Sequence, residues 1–164
     1  MISATFLNHS PLFRNLDSEA CAQVLMIGQV RSVRKEEVIF REGEQGDGLY
    51  IIMNGSVRIS KQAASGEEAL AILETNAFFG EMALVDFSDR AADAIANEDS
   101  DLFFIPLPQL RELIEAYPPI ALKVLYALCE VLTQRLRETN ERYMSIFTIA
   151  QWGAGPQSGL LPLP

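Results

Sequence analysis

Residues 78–96 read Phe78-Phe79-Gly80-Glu81-Met82-Ala83-Leu84-Val85-Asp86-Phe87-Ser88-Asp89-Arg90-Ala91-Ala92-Asp93-Ala94-Ile95-Ala96, and they interrupt a β-rich region. Gly80 lets the backbone approach another group closely. Glu81 to Leu84 are good helix formers, which predicts a single helical turn inside the sheet region. The unpaired amides at the start of such a turn attract anions, phosphates especially. Arg90 begins the next apolar strand. A guanidinium directed inward from there needs a partner, because burying it alone is costly. A phosphate satisfies both the amides and the fork-shaped cation. Glu81 is itself an anion and suits sugar hydroxyls better. A plainer alternative pairs Glu81 with Arg90 across the loop.

Outward from this stretch, short runs with strand-like alternation fill residues 29–106: QVRSV, EVIFR, LYIIM, SVRIS, ALAILE, AADAIA and DLFFIP. Turn residues separate them, at Arg34 to Glu36, Gly43 to Gly48, Asn54-Gly55, Ala64 to Gly66 and Asn97 to Ser100. Asn54-Gly55 predicts a two-residue hairpin, since both residues tolerate positive φ. Gly43, Gly46 and Gly48 have the wrong spacing for a dinucleotide loop and are followed by a strand, so they read as turn residues. The first 27 residues are helical in pattern, with Ser18 as a cap and Gly28 as the stop. After Pro106 the helical period returns, over Leu107 to Ala116 and again from Pro118-Pro119 to about Ile149. Residues 149–164 are rich in Gly and Pro and are expected to form a flexible tail.

The chain has 164 residues and a formal net charge of −9, from 22 acidic and 13 basic residues. Its length suits one domain, and the charge repels phosphate backbones, so DNA is not an expected partner. His9 is the only histidine, which leaves little for a metal cluster or a histidine acid–base relay. No metal, cofactor or catalytic residue is expected, and the chain does not read as an enzyme. Cys21 and Cys129 sit in apolar helical patterns and are expected to be buried, reduced thiols. No apolar run reaches the roughly 20 residues of a membrane span, and the N-terminus lacks a secretory pattern, so a cytoplasmic protein without membrane contact is expected.

FFGEMALVDFSDRAADAIA resembles the phosphate-binding cassette of the cyclic-nucleotide-binding family, which includes catabolite activator protein and the regulatory subunits of protein kinase A. That cassette reads F-G-E-x-A-L, then a short loop, then R-A-A; Phe79, Gly80, Glu81, Ala83, Leu84, Arg90, Ala91 and Ala92 occupy those places. Upstream, Val38 to Tyr50 followed by Gly55 matches the family's glycine-punctuated strand–turn–strand signature. The resemblance implies an α+β fold: an eight-stranded antiparallel β-roll (a double-stranded β-helix, jelly-roll-like) flanked by N-terminal helices and two C-terminal helices. It places the domain at 11–148, with the roll over about 29–106 and the helices over about 107–148. It implies that Arg90 holds a cyclic phosphate and Glu81 the ribose 2′-hydroxyl. Phe79, Gly80, Ala92 and the amides of Met82, Ala83 and Ala91 complete the binding set. Ala91 directly after the arginine leans towards cAMP over cGMP. Asp89 and Asp93 depart from the family pattern, and with Asp86 they put three carboxylates around one arginine. Each of these within reach of the phosphate opposes binding by about 1 kcal/mol.

Leu122, Leu125, Cys129, Leu132, Leu136, Tyr143 and Ile146 follow an alternating three–four spacing, with Thr139 as its polar interruption, a coiled-coil seam that predicts a homodimer through helix 120–148. Val124, Leu128 and Val131 form a second apolar line, suited to packing on the roll. In the family the corresponding helix is a lid over the base, which implicates Thr133, Gln134 or Arg135. Only roughly 15 residues follow this helix, too few for a helix-turn-helix. The expected function is a cyclic-nucleotide sensor that signals to an effector protein by moving its C-terminal helices. The alternative is a degenerate domain of the same fold that binds no nucleotide and acts in protein interaction or dimerisation.

Overall fold

The computed structural model of the chain describes residues 4–86 and 88–153. Helices α1 (Ala4–His9) and α2 (Ser18–Ile27) precede eight strands, β1 (Gln29–Val33), β2 (Val38–Phe40), β3 (Gly48–Asn54), β4 (Ser56–Ala63), β5 (Gly66–Glu74), β6 (Phe78–Phe79), β7 (Asp93–Ala96) and β8 (Ser100–Pro106). A one-turn helix, α3 (Met82–Asp86), lies between β6 and β7, and α4 (Leu107–Ala116) and α5 (Pro118–Gly153) close the order. The contacts divide the chain into two units, 1–127 and 128–164, so α5 belongs to the first as far as Ala127 and to the second from Leu128.

The strands form two antiparallel four-stranded sheets, ordered β1-β8-β3-β6 and β2-β7-β4-β5. Val33, Tyr50, Ile52, Phe79 and Leu102 of the first sheet meet Ile39, Phe40, Val57, Ala94 and Ala96 of the second in one buried cluster. Each large side chain so removed from water contributes about 1.5–3 kcal/mol. Every residue from Gly48 to Ile52 is buried, whereas β5 is largely exposed. The difference has a physical cause. On the other side of the first sheet, α2 and α4 lie against β8, and Phe6 meets Phe103 edge-on at 6.0 Å. That cover buries the alternate residues Leu49, Ile51, Phe103 and Ile105 as well.

Four local expectations need correction. Asn54-Gly55 does not close a hairpin, since β3 and β4 belong to different sheets. It is a corner at which the chain changes sheets, with Gly55 at φ 91 and Ser100 where a Cβ would stand. The tight hairpin is instead β4–β5, turning through Ala64 and Ser65. The cap of α2 is Asp17 rather than Ser18: its Oδ1 accepts from the Ala20 amide at 2.9 Å. Strand β6 is the eighth strand that the strand-like runs of the sequence leave out. Finally, Cys21 is buried but Cys129 is exposed. The Cys21 thiol donates to Asn8 Oδ1, and burial raises its pKa.

Helix α5 extends to Gly153; the expected Gly/Pro-rich tail lies, from residue 154 on, outside the described residues. No described helix is long and apolar enough to cross a membrane.

Candidate functional site

Arg90 is pinned before its side chain does anything. Its amide donates to Glu44 O at 2.8 Å, and its carbonyl accepts from Gly43 N at 2.9 Å. Those two bonds fix Arg90 against the glycine turn of residues 41–48, in the loop that precedes β7, which opens at Asp93 rather than at Arg90 as the sequence suggests. The turn is held in its own right. Arg41 N donates to Glu44 Oε2, and Glu42 N donates to Asp93 Oδ1 at 2.7 Å.

From this base the side chain runs inward and is 2% exposed. Nη1 donates to Gly80 O at 3.1 Å, while Nη2 donates to Gly48 O at 2.8 Å and to Asp47 Oδ1 at 2.7 Å. The guanidinium carbon stands 4.0 Å over the Phe40 ring. Phe40 leans on Tyr50 and Phe79, which stack with centroids 5.0 Å apart. A cation on a desolvated aromatic face gains about 2 kcal/mol. Burial, and after it the Asp47 charge, pushes the Tyr50 hydroxyl above its ordinary range, so Tyr50 stays neutral beneath the cation. Nε is buried and no acceptor reaches it. A buried N–H of a charged group without a partner is costly, and it marks where an anion would be welcome.

Gly80 stands at φ 81, where L side chains are strained, and a Cβ there would come within 2.5 Å of Arg90 Nη1. The residue is glycine for two reasons at once: the turn into α3, and room for the guanidinium. Glu81 follows and is buried, and α3 opens at Met82. Ala83 is buried while Met82 and Ala91 are exposed, and Ala92 is buried.

The structure thus brings Phe79, Gly80 and Arg90 into direct proximity, with Glu81, Met82 and Ala83 continuing from Gly80, and Ala91 and Ala92 continuing from Arg90. The three carboxylates do not behave alike. Asp93 is buried and committed to the Glu42 amide. Asp86 turns back on Ser88, accepting from its hydroxyl at 2.6 Å and its amide at 3.0 Å, and these bonds hold its carboxyl below the usual range. Asp89 is exposed. Phe87 lies outside the described residues. Thr133, Gln134 and Arg135 fall in the second unit, where Gln134 Nε2 donates to Glu138 Oε1.

The residue that sequence reading missed is Asp47. Between Gly46 and Gly48 it looks like an ordinary turn residue. The available signal is the need of an inward arginine for a counter-charge, which a carboxylate in the facing glycine turn meets as well as Glu81 or an external phosphate would. Phe40 and Tyr50, which the sequence places only in strand-like runs, are buried and form the platform under the cation. Among the described residues no group of three or more His, Cys, Asp or Glu could hold a metal ion.

A family model described as the cyclic nucleotide-binding domain matches residues 30–117. Over 132 residues the chain is 35% identical to the cyclic AMP receptor protein of Thermus thermophilus, a match that covers 80% of this chain and 59% of that protein. A crystal structure of a cyclic nucleotide-binding domain from Methylobacillus flagellatus superposes with a TM-score of 0.77 at 25% identity, covering 97% of this chain and 84% of that one. The regulatory domain of Toxoplasma gondii protein kinase A, crystallised with cAMP, gives a TM-score of 0.63 at 26% identity over 67% of this chain and 42% of that one. The chain spans 54% to 62% of the length of the first bacterial regulators it matches.

Proposed function

Because the chain belongs to the cyclic nucleotide-binding domain family, we propose that it is a cyclic-nucleotide sensor, selective for cAMP over cGMP, with no catalytic step of its own. The observation that carries this reading is Arg90: a buried guanidinium on an aromatic platform, with three of its bonds made and Nε left facing no acceptor. The cyclic phosphate takes this N–H together with the amides of Met82, Ala83 and Ala91, and Glu81 accepts from the ribose 2′-hydroxyl. Asp47 already neutralises part of the charge on Arg90, so the phosphate must share the guanidinium with it. Affinity therefore depends on how far Asp47, which is 64% exposed at the side chain, yields to water when the ligand arrives. Ala91 leaves the cradle without a hydroxyl for the purine amino group of cGMP. Output passes to an effector protein through the C-terminal helices, in the cytoplasm, and α5 pairs with a second copy of the chain.

A specific observation favours a second reading. Arg90 satisfies Nη1 and Nη2 with the chain's own acceptors, which a domain that binds no nucleotide and serves only in protein interaction would also do. Thermal unfolding with nucleotide separates the two. At 100-fold excess over Kd a ligand adds about 2.7 kcal/mol to the folded state. For a domain of this size that raises Tm by about 5–10 °C. We expect this shift with cAMP, a smaller one with cGMP and none with 5′-AMP, whose open phosphate carries a second charge. No shift with either cyclic nucleotide at millimolar concentration overturns the sensor reading in favour of the interaction module.

A further inference from the structure

Helix α3 is too short to satisfy itself. In five residues, Met82–Asp86, only the Met82 carbonyl has an amide four residues on within the helix, and the carbonyls after it depend on groups outside. The Ala83 carbonyl finds one far along the chain: Arg111 Nη2, from the middle of α4, donates to it at 2.5 Å. Arg111 lies between Leu110 and Leu113, both buried, so the helix that carries it is fixed by its apolar face while the arginine reaches back to α3. A charged donor on a carbonyl makes a bond about twice as strong as a neutral one, and the long stem spans the gap between the helices.

From its other side Ala83 is gripped by the glycine turn: a Cβ on Gly46 would overlap the Ala83 Cβ. Gly46 adjoins Asp47, whose carboxylate holds Arg90. A continuous set of contacts therefore runs from Arg90 through Asp47 and Gly46 to Ala83, and from Ala83 through Arg111 to α4. Beyond it, the Tyr117 amide donates to Leu113 O, and Tyr117 O accepts from Ile120 N and Ala121 N, carrying α4 into the start of α5 without a loop.

We propose that Arg111 is a positioning residue that ties α3 to α4, so that a ligand which orders α3 changes the freedom of α4. The ligand-driven part of this rests on the cyclic-nucleotide reading above. The Nη2 donor reaches the Ala83 carbonyl from α4, while α3 keeps Ala83 and Leu84 buried and α4 keeps Leu110 and Leu113 buried, so removing the guanidinium weakens the tie between the helices and leaves their apolar anchors in place.

Hydrogen–deuterium exchange on the full chain tests the tether, using the wild type, Arg111→Met and Arg111→Lys, each with and without saturating cAMP and each with its Tm measured. In the wild type cAMP protects amides of residues 80–92 and of 107–117. In Arg111→Met the protection at 80–92 persists, cAMP affinity falls by about fivefold, and the change at 107–117 disappears. Arg111→Lys restores part of that change, because an ammonium on a similar stem supplies one donor. A wild-type response at 107–117 in Arg111→Met overturns the proposal. So does a uniform rise in exchange over the whole roll in both variants, which is what a merely structural residue gives. If cAMP protects nothing in the wild type, the nucleotide reading fails by itself, and the tether is judged without ligand. Arg111→Met must then raise exchange at 82–86 about tenfold while leaving 29–33 unchanged, and an unchanged 82–86 contradicts it.

Discussion

A glycine, an arginine and an aspartate decide the site at the scale of single residues. Gly80 carries a positive φ and stands against Arg90 Nη1, so Gly80→Ala both strains the backbone and pushes the guanidinium off its carbonyl. The expected cost is about 1–3 kcal/mol in chemical denaturation, with cAMP affinity reduced at least tenfold. A variant with wild-type affinity would show that the guanidinium does not need that space. Asp93 illustrates how a departure from a familiar pattern can have a local purpose. Its buried carboxylate accepts from the Glu42 amide, and so braces the turn to which the Arg90 backbone is bonded. Asp93→Ala leaves that amide without its partner and is expected to destabilise by about 1–3 kcal/mol in urea titration. Asp93→Asn, which keeps an oxygen acceptor, is expected to cost less, and equal losses in the two would argue against the bond.

Single elements show what the sequence made legible and where local reading stops. The one-turn helix α3, the β-rich stretch before it and the prolines that open α5 were readable because each depends on neighbours in sequence. Asn54-Gly55 was misread for the opposite reason. Its backbone preference for positive φ is real, but whether the flanking strands pair is decided by packing between β3 and β8 and between β4 and β7, far along the chain. The two-residue strand β6 is too short for a periodic signal and exists because Phe78 and Phe79 pair with Ile51 and Tyr50. The counter-charge at Asp47 was hidden in the same way, by a contact across 43 residues. At α2 the shift of the cap from Ser18 to Asp17 carries a pH dependence. The Ala20 amide bond, foremost, lowers the Asp17 pKa from its usual value of 3.8. A carboxylate with a depressed folded pKa adds stability that is present above the unfolded value and is lost as pH falls through the folded one. The wild type is therefore expected to exceed Asp17→Ala in Tm at pH 7, with the difference shrinking below about pH 4. A difference that stays constant down to pH 2 would contradict the cap.

The chain carries a formal net charge of −9 and bears exposed apolar side chains on both parts of α5. Leu122, Leu125, Leu136, Tyr143 and Ile146 are exposed along α5, whereas Ile120, Val124 and Ala127 in the first unit are buried. A seam of that spacing is suited to a second helix, and Leu136→Glu is expected to convert a dimer to a monomer in light scattering with little change in the monomer's own fold. Wild-type chain that scatters as a monomer at high micromolar concentration would remove the dimer from the account. The account as a whole depends on Arg90 meeting a cyclic phosphate, and isothermal titration of cAMP into the wild type and Arg90→Ala reads that meeting most directly. The expected result is one nucleotide bound per chain with micromolar or tighter affinity, and no detectable binding to Arg90→Ala while its circular dichroism stays that of a folded roll. Heat of binding that survives in Arg90→Ala, or none in the wild type, would contradict it.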